Sequence, residues 1–93
     1  MRLSRTEITA IKSTIADLDP CALVYLFGSR VDDTKRGGDI DLLIMSEKLS
    51  ADHSNKIRWQ LWERIGEQKI DILIAKDTTD PFVRLARTTG TEL

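Results

Sequence analysis

The sequence predicts a small α/β fold, with helices and strands alternating in the order α-β-α-β-α-β-α. Three observations predict it. Three short apolar runs, CALVYLF, DIDLLIM and KIDILIA, have the length of buried strands. Two longer segments repeat their apolar residues with the period of a helix. Pro, Gly and Asp punctuate the joins between them.

The first helix spans about Ser4 to Asp17. Ser4 and Glu7 have capping-box spacing. Ile8, Ile11, Ile15 and Leu18 follow on one narrow stripe, and Asp19-Pro20 ends the helix. Cys21–Phe27 is the first strand, broken by Gly28 and Ser29. The polar stretch from Ser29 to Gly38 has room for a helical turn or two, with Gly37-Gly38 as a turn signal.

Asp39–Met45 is the second strand. Its alternation puts Asp39, Asp41 and Leu43 on one face and Ile40, Leu42 and Ile44 on the other. Ser50 opens a second long helix that runs to about Glu67, near Gly66. Lys69–Ala75 is the third strand, with Ile70, Ile72 and Ile74 on one face and Asp71 on the other. Asp80-Pro81 starts a last short helix, with Pro81 at a tolerated first-turn position, and Gly90 ends it.

The chain has 93 residues, enough for one small domain over 1–93. It is 41% hydrophobic, as ordinary folded proteins are, which argues against a disordered tail. No apolar run approaches the ~20 residues of a membrane span. A formal net charge of −1 argues against direct nucleic-acid binding through a large basic surface. The single cysteine, Cys21, forms no internal disulfide and sets no metal-ligand spacing. These features favour a cytoplasmic protein.

Three aspartates stand on strands otherwise built of Ile and Leu. Asp39 and Asp41 are two apart, so they leave one face of a strand with Cβ atoms roughly 7 Å apart. That separation suits convergence on one hard cation, and Mg²⁺ takes such oxygen ligands together with substrate phosphates. Asp71 holds an analogous place on the third strand. If the two strands are neighbours, three carboxylates meet, and they repel unless a divalent cation sits among them. Such a set can hold two metal ions for in-line displacement at phosphorus. Upstream, Gly28 lets the backbone approach an anion closely, Ser29 adds a hydroxyl donor, and Arg30 is placed to contact the same anion. Taken singly, Gly-Ser is commonly just a turn, and Asp-x-Asp a solvated edge or cap. The combination in this order is what points to chemistry.

The run FGSRVDDTKRGGDIDLLI, Phe27 to Ile44, resembles the signature of the DNA polymerase beta-like nucleotidyltransferase superfamily. That signature is Gly-Ser, a spacer of about ten residues, Asp-x-Asp, and a third acidic residue on a later strand. Gly28-Ser29, Asp39, Asp41 and Asp71 match it one by one. The resemblance covers nearly the whole chain and looks most like the minimal nucleotidyltransferases, or MNT proteins. It implies a mixed α/β sheet forming a single nucleotidyltransferase domain. It also implies two Mg²⁺ ions on Asp39, Asp41 and Asp71, with ATP as substrate. Asp71 is implied as metal ligand and as base for the attacking hydroxyl, and Gly28, Ser29 and Arg30 as the triphosphate cradle. Asp33 and Gly38 stand where many members carry glycine and serine, and Lys35 and Arg36 offset the charge of Asp33.

The resemblance further implies a partner, a helical HEPN-type toxin, with transfer of AMP to a toxin tyrosine and an antitoxin role for this chain. The shortness of the chain agrees: it has room for the nucleotide half of a reaction, so the acceptor half comes from a partner or a second copy. Two alternatives stay open. One is a non-catalytic nucleotide-binding module that neutralises its partner by contact. The other is transfer to an aminoglycoside-like small molecule in a pocket made by a homo-oligomer.

The remaining residues read more simply. His53 has an exposed or capping role, Cys21 packs in the core, and Tyr25 is structural. Ile57, Leu61, Trp62 and Ile65 share an arc of about 140°. Trp59 falls outside it, either packed under a loop or exposed as a partner anchor. Lys56, Arg58, Glu63, Arg64 and Glu67 form a solvated face.

Overall fold

A computed structural model of the chain describes residues 3–28 and 40–93. Their order is α1 (Arg5–Leu18), β1 (Leu23–Phe27), β2 (Ile40–Met45), a 3-10 turn (Ala51–His53), α2 (Ser54–Ile65), β3 (Ile70–Ala75), α3 (Pro81–Thr89) and β4 (Thr91–Glu92). The short helix expected near Ser29 falls outside the described residues.

The three apolar runs become one mixed sheet with strand order β3-β2-β1-β4. β1 runs antiparallel to β2 and to β4, and β2 runs parallel to β3. The parallel pair needs a long crossover, which α2 supplies. In its register Ile40 lies beside Ile70, Leu42 beside Ile72 and Ile44 beside Ile74. Side-chain alternation then sends all six to one face. There Ile40, Leu42 and Ile44 pack with Leu26, Ile11 and Ile15 of α1, and Ile57 and Leu61 of α2. Truncating one of these, such as Leu42, to alanine would cost ~2–5 kcal/mol.

Among the described residues, α3 covers the opposite face. Val83 and Ala86 pack on Tyr25 and Leu43, with Phe27, Met45, Leu73 and Ala75 at the margin. The Tyr25 hydroxyl accepts from Arg87 Nε at 3.2 Å, so the structural role expected of Tyr25 includes tying β1 to α3.

The caps follow the sequence signals. Ser4 and Glu7 form both halves of a capping box, at 3.1 and 3.0 Å. Asp80 accepts from the Phe82 amide at 2.8 Å, with Pro81 at the first helical position. His53 Nδ1 accepts from the Ser50 amide at 3.1 Å, the capping role rather than an exposed one.

Three expectations need correction. Cys21 is exposed and precedes the strand, which begins at Leu23. The Asp19 carboxylate accepts from its amide at 3.0 Å, holding it in the turn that Pro20 begins. The segment from Ser50 opens with a 3-10 turn, and the α-helix starts only at Ser54. β4 was not expected at all. It is two residues long, too short for any periodicity, and pairs Glu92 with Tyr25 and Thr91 with Leu26. Gly90 makes this return possible. A Cβ there would lie 2.6 Å from the Ala86 carbonyl oxygen and 2.7 Å from that of Leu26.

No helix among the described residues is long and apolar enough to cross a membrane.

Candidate active site

Asp41 on β2 and Asp71 on β3 occupy the same register level of adjacent parallel strands. Alternation puts both on the face that α3 covers, one step before Leu43 and Leu73. Phe27, the last residue of β1, is the register partner of Asp41 on its other side. The three residues therefore meet at the end of the sheet where β1 stops and β2 and β3 start.

Neighbouring strands lie ~4.8 Å apart. Two carboxylates at about 5 Å repel by ~1 kcal/mol in a water-like medium and ~3 kcal/mol at an effective dielectric of 20. Asp41 is half-buried and Asp71 exposed, so the lower part of that range applies. Such a repulsion is useful where a cation is to be drawn in.

Gly28 adds a second constraint. Its φ is +76°, a left-handed conformation that favours glycine. A Cβ at this position would overlap Asp41 Oδ2 and lie 3.1 Å from its Cγ. The Asp41 carboxylate is thus packed over the bare α-carbon of Gly28. The two halves of the sequence motif touch through this contact.

A cavity of about 310 Å³ opens over the carboxylates, bordered by Phe27, Phe82, Leu73 and Arg58. Arg58 reaches it around the edge of the sheet. β3 is an edge strand, and the Ile70 carbonyl accepts from Arg58 Nε at 2.9 Å. The Asn55 side chain accepts from Nη1 of the same guanidinium at 2.7 Å. Arg58 therefore clamps the residue just before Asp71. A solvated-face assignment missed it. The available signal was its place three and four residues before Leu61 and Trp62, on the border of the apolar arc. Another cavity, of about 360 Å³, lies at the opposite end of the sheet around Leu23 and Met45. It holds no paired strand carboxylates.

Of the site residues expected from the sequence, the structure brings Gly28, Asp41 and Asp71 together. Ser29, Arg30 and Asp39 lie outside the described residues, as do Asp33, Lys35, Arg36 and Gly38. Among the described residues no three acidic, cysteine or histidine side chains form a metal cluster. The two that meet give an all-oxygen donor set, which is the chemistry Mg²⁺ requires.

The family model "Polymerase beta, Nucleotidyltransferase" matches residues 9–93. The chain belongs to this family. The match takes in Gly28, Asp41 and Asp71 and all four strands. The mixed sheet flanked by helices is accordingly a small polymerase beta-like nucleotidyltransferase core, and nucleotidyl transfer is its general activity. No curated protein is similar enough to this polymerase beta-type chain to match it.

Proposed function

We propose that the chain transfers AMP from ATP to a hydroxyl group, with Mg²⁺, and releases pyrophosphate. The observation that carries this reading is the level pairing of Asp41 with Asp71, with the Asp41 carboxylate seated on Gly28. Asp41 and Asp71 would hold the metal together with Asp39. When bound, Mg²⁺ neutralises charge that develops on the phosphates. Gly28, Ser29 and Arg30 would hold the triphosphate, Gly28 through its backbone, which carries no side chain of its own. Asp71 is exposed, which lets an incoming hydroxyl reach it. As the hydroxyl oxygen bonds to the α-phosphorus, its proton passes to Asp71. The bond from the α-phosphorus to the bridging oxygen breaks, and pyrophosphate leaves.

The acceptor in this proposal is a tyrosine of a HEPN-type toxin, with this chain as the cytoplasmic antitoxin. Trp59 supports a protein partner: it is 63% exposed, and tryptophan is enriched at the centre of interfaces. The test is co-expression with a candidate HEPN-type toxin, followed by intact-mass measurement of the toxin. One added AMP mass or more, absent with Asp41→Ala, is the expected result. A toxin neutralised without any mass change would favour contact alone.

A further inference from the structure

The core has no use for Phe82. On α3 the buried positions are Val83 and Ala86, which pack on Tyr25 and Leu43. Phe82 stays 56% exposed, although it borders the cavity over Asp41 and Asp71. Its backbone is fixed by Pro81 and by the Asp80 carboxylate, which accepts its amide. Its ring meets Phe27 in a T-shaped contact, with centroids 6.1 Å apart and planes at 81°. That is a favourable aromatic geometry. A rigid pair of rings thus forms one wall of a cavity whose floor is acidic. Small-ligand sites have this composition: apolar and aromatic walls with a few placed polar groups, and volumes from about 300 Å³.

We propose that Phe27 and Phe82 form the subsite for the base of the bound nucleotide. This rests on the reading of Gly28, Asp41 and Asp71 as the phosphate and metal end of the site. Phe27 directly precedes Gly28 and is the register partner of Asp41. The wall is therefore continuous with the phosphate end, and one molecule fills both. Stacking on a phenyl ring is tolerant, because every base has a π-face. The subsite holds a base without selecting strongly among bases.

The test is calorimetric titration of the full chain, in Mg²⁺, with ATP and separately with inorganic triphosphate. Phe82→Ala should weaken ATP by about tenfold and leave inorganic triphosphate unchanged. Phe82→Tyr should retain ATP affinity. Phe27→Leu, which keeps an apolar side chain against α3, should weaken ATP in the same selective way. Equal ATP affinity in wild type, Phe82→Ala and Phe27→Leu overturns the base subsite alone, provided triphosphate still binds. Wild-type protein that binds neither ligand overturns the phosphate-site reading, and the subsite with it.

Discussion

Asp41 and Asp71 sit level with each other on adjacent parallel strands, both turned toward the face that α3 covers. Two carboxylates so placed repel one another. Relieving that repulsion should stabilise the metal-free protein. Asp71→Asn is therefore expected to unfold at a higher temperature than wild type in EDTA, by a few degrees for each ~1 kcal/mol regained. Added Mg²⁺ should raise the wild-type midpoint and leave that of the variant nearly unchanged. Thermal unfolding by circular dichroism in EDTA and in Mg²⁺ checks both.

Gly28 is tied to Asp41 by geometry. In Gly28→Ala, left-handed backbone costs ~1–2 kcal/mol, and the new methyl group displaces the Asp41 carboxylate. A shift of about 1 Å at a reacting centre can cost roughly 10²-fold in rate. The expected outcome is a folded protein whose transfer rate falls far more than its stability does, seen by comparing turnover with urea midpoints.

Asp19 and Ser46 form a buried knot between the end of α1 and the exit of β2. The Asp19 carboxylate accepts from Ser46 Oγ at 2.6 Å, and that hydroxyl oxygen accepts the amides of Lys48 and Leu49. The Ser46 hydroxyl, then the Cys21 amide, and lastly the charge of Lys48 hold the Asp19 carboxyl below its ordinary value of 3.8, against a smaller opposing effect of burial. A carboxyl lowered by folding stabilises fully above its unfolded pKa and loses that contribution as pH falls through its folded pKa. Wild type should therefore lose this contribution as pH falls below about 4, and Ser46→Ala should lose less over the same window. Thermal midpoints measured between pH 2 and pH 6 show whether the two curves converge at the acid end.

Thr14 is fully buried on α1, and its hydroxyl has no hydrogen-bond partner among the described residues. Leaving such a group unpaired costs ~1–3 kcal/mol. Thr14→Val keeps the shape and removes the cost. Urea unfolding should place it at or above wild type by up to that amount, and a loss of stability would show that the hydroxyl is satisfied after all.

The sequence carried the fold where its patterns were long. The stripe of Ile11 and Ile15, the alternation in IDLLIM and IDILIA, and the caps at Ser4 and Asp80 each became the element they predicted. What it could not carry was set by contacts distant in sequence. β4 exists because Gly90 lets two residues return to β1. Cys21 is apolar enough to read as strand, yet the Asp19 carboxylate holds it in a turn. At the site, Asp41 and Asp71 were visible as charges interrupting aliphatic runs, and the strand order brought them level. Arg58 showed only as a residue on the border of the apolar arc, since it reaches the cavity around a sheet edge, and Phe82 was not visible, since it reaches the cavity from the first turn of a helix across it.

The most direct test of the central claim is transfer of the α-phosphoryl group. The protein is incubated with α-³²P-labelled ATP, Mg²⁺ and the co-expressed partner, in wild type, Asp41→Ala and Asp71→Ala forms. Label should move to the partner with wild type, and fall by at least about 10²-fold in each variant. Label transfer undiminished in both variants would contradict the assignment of the reaction to this carboxylate pair.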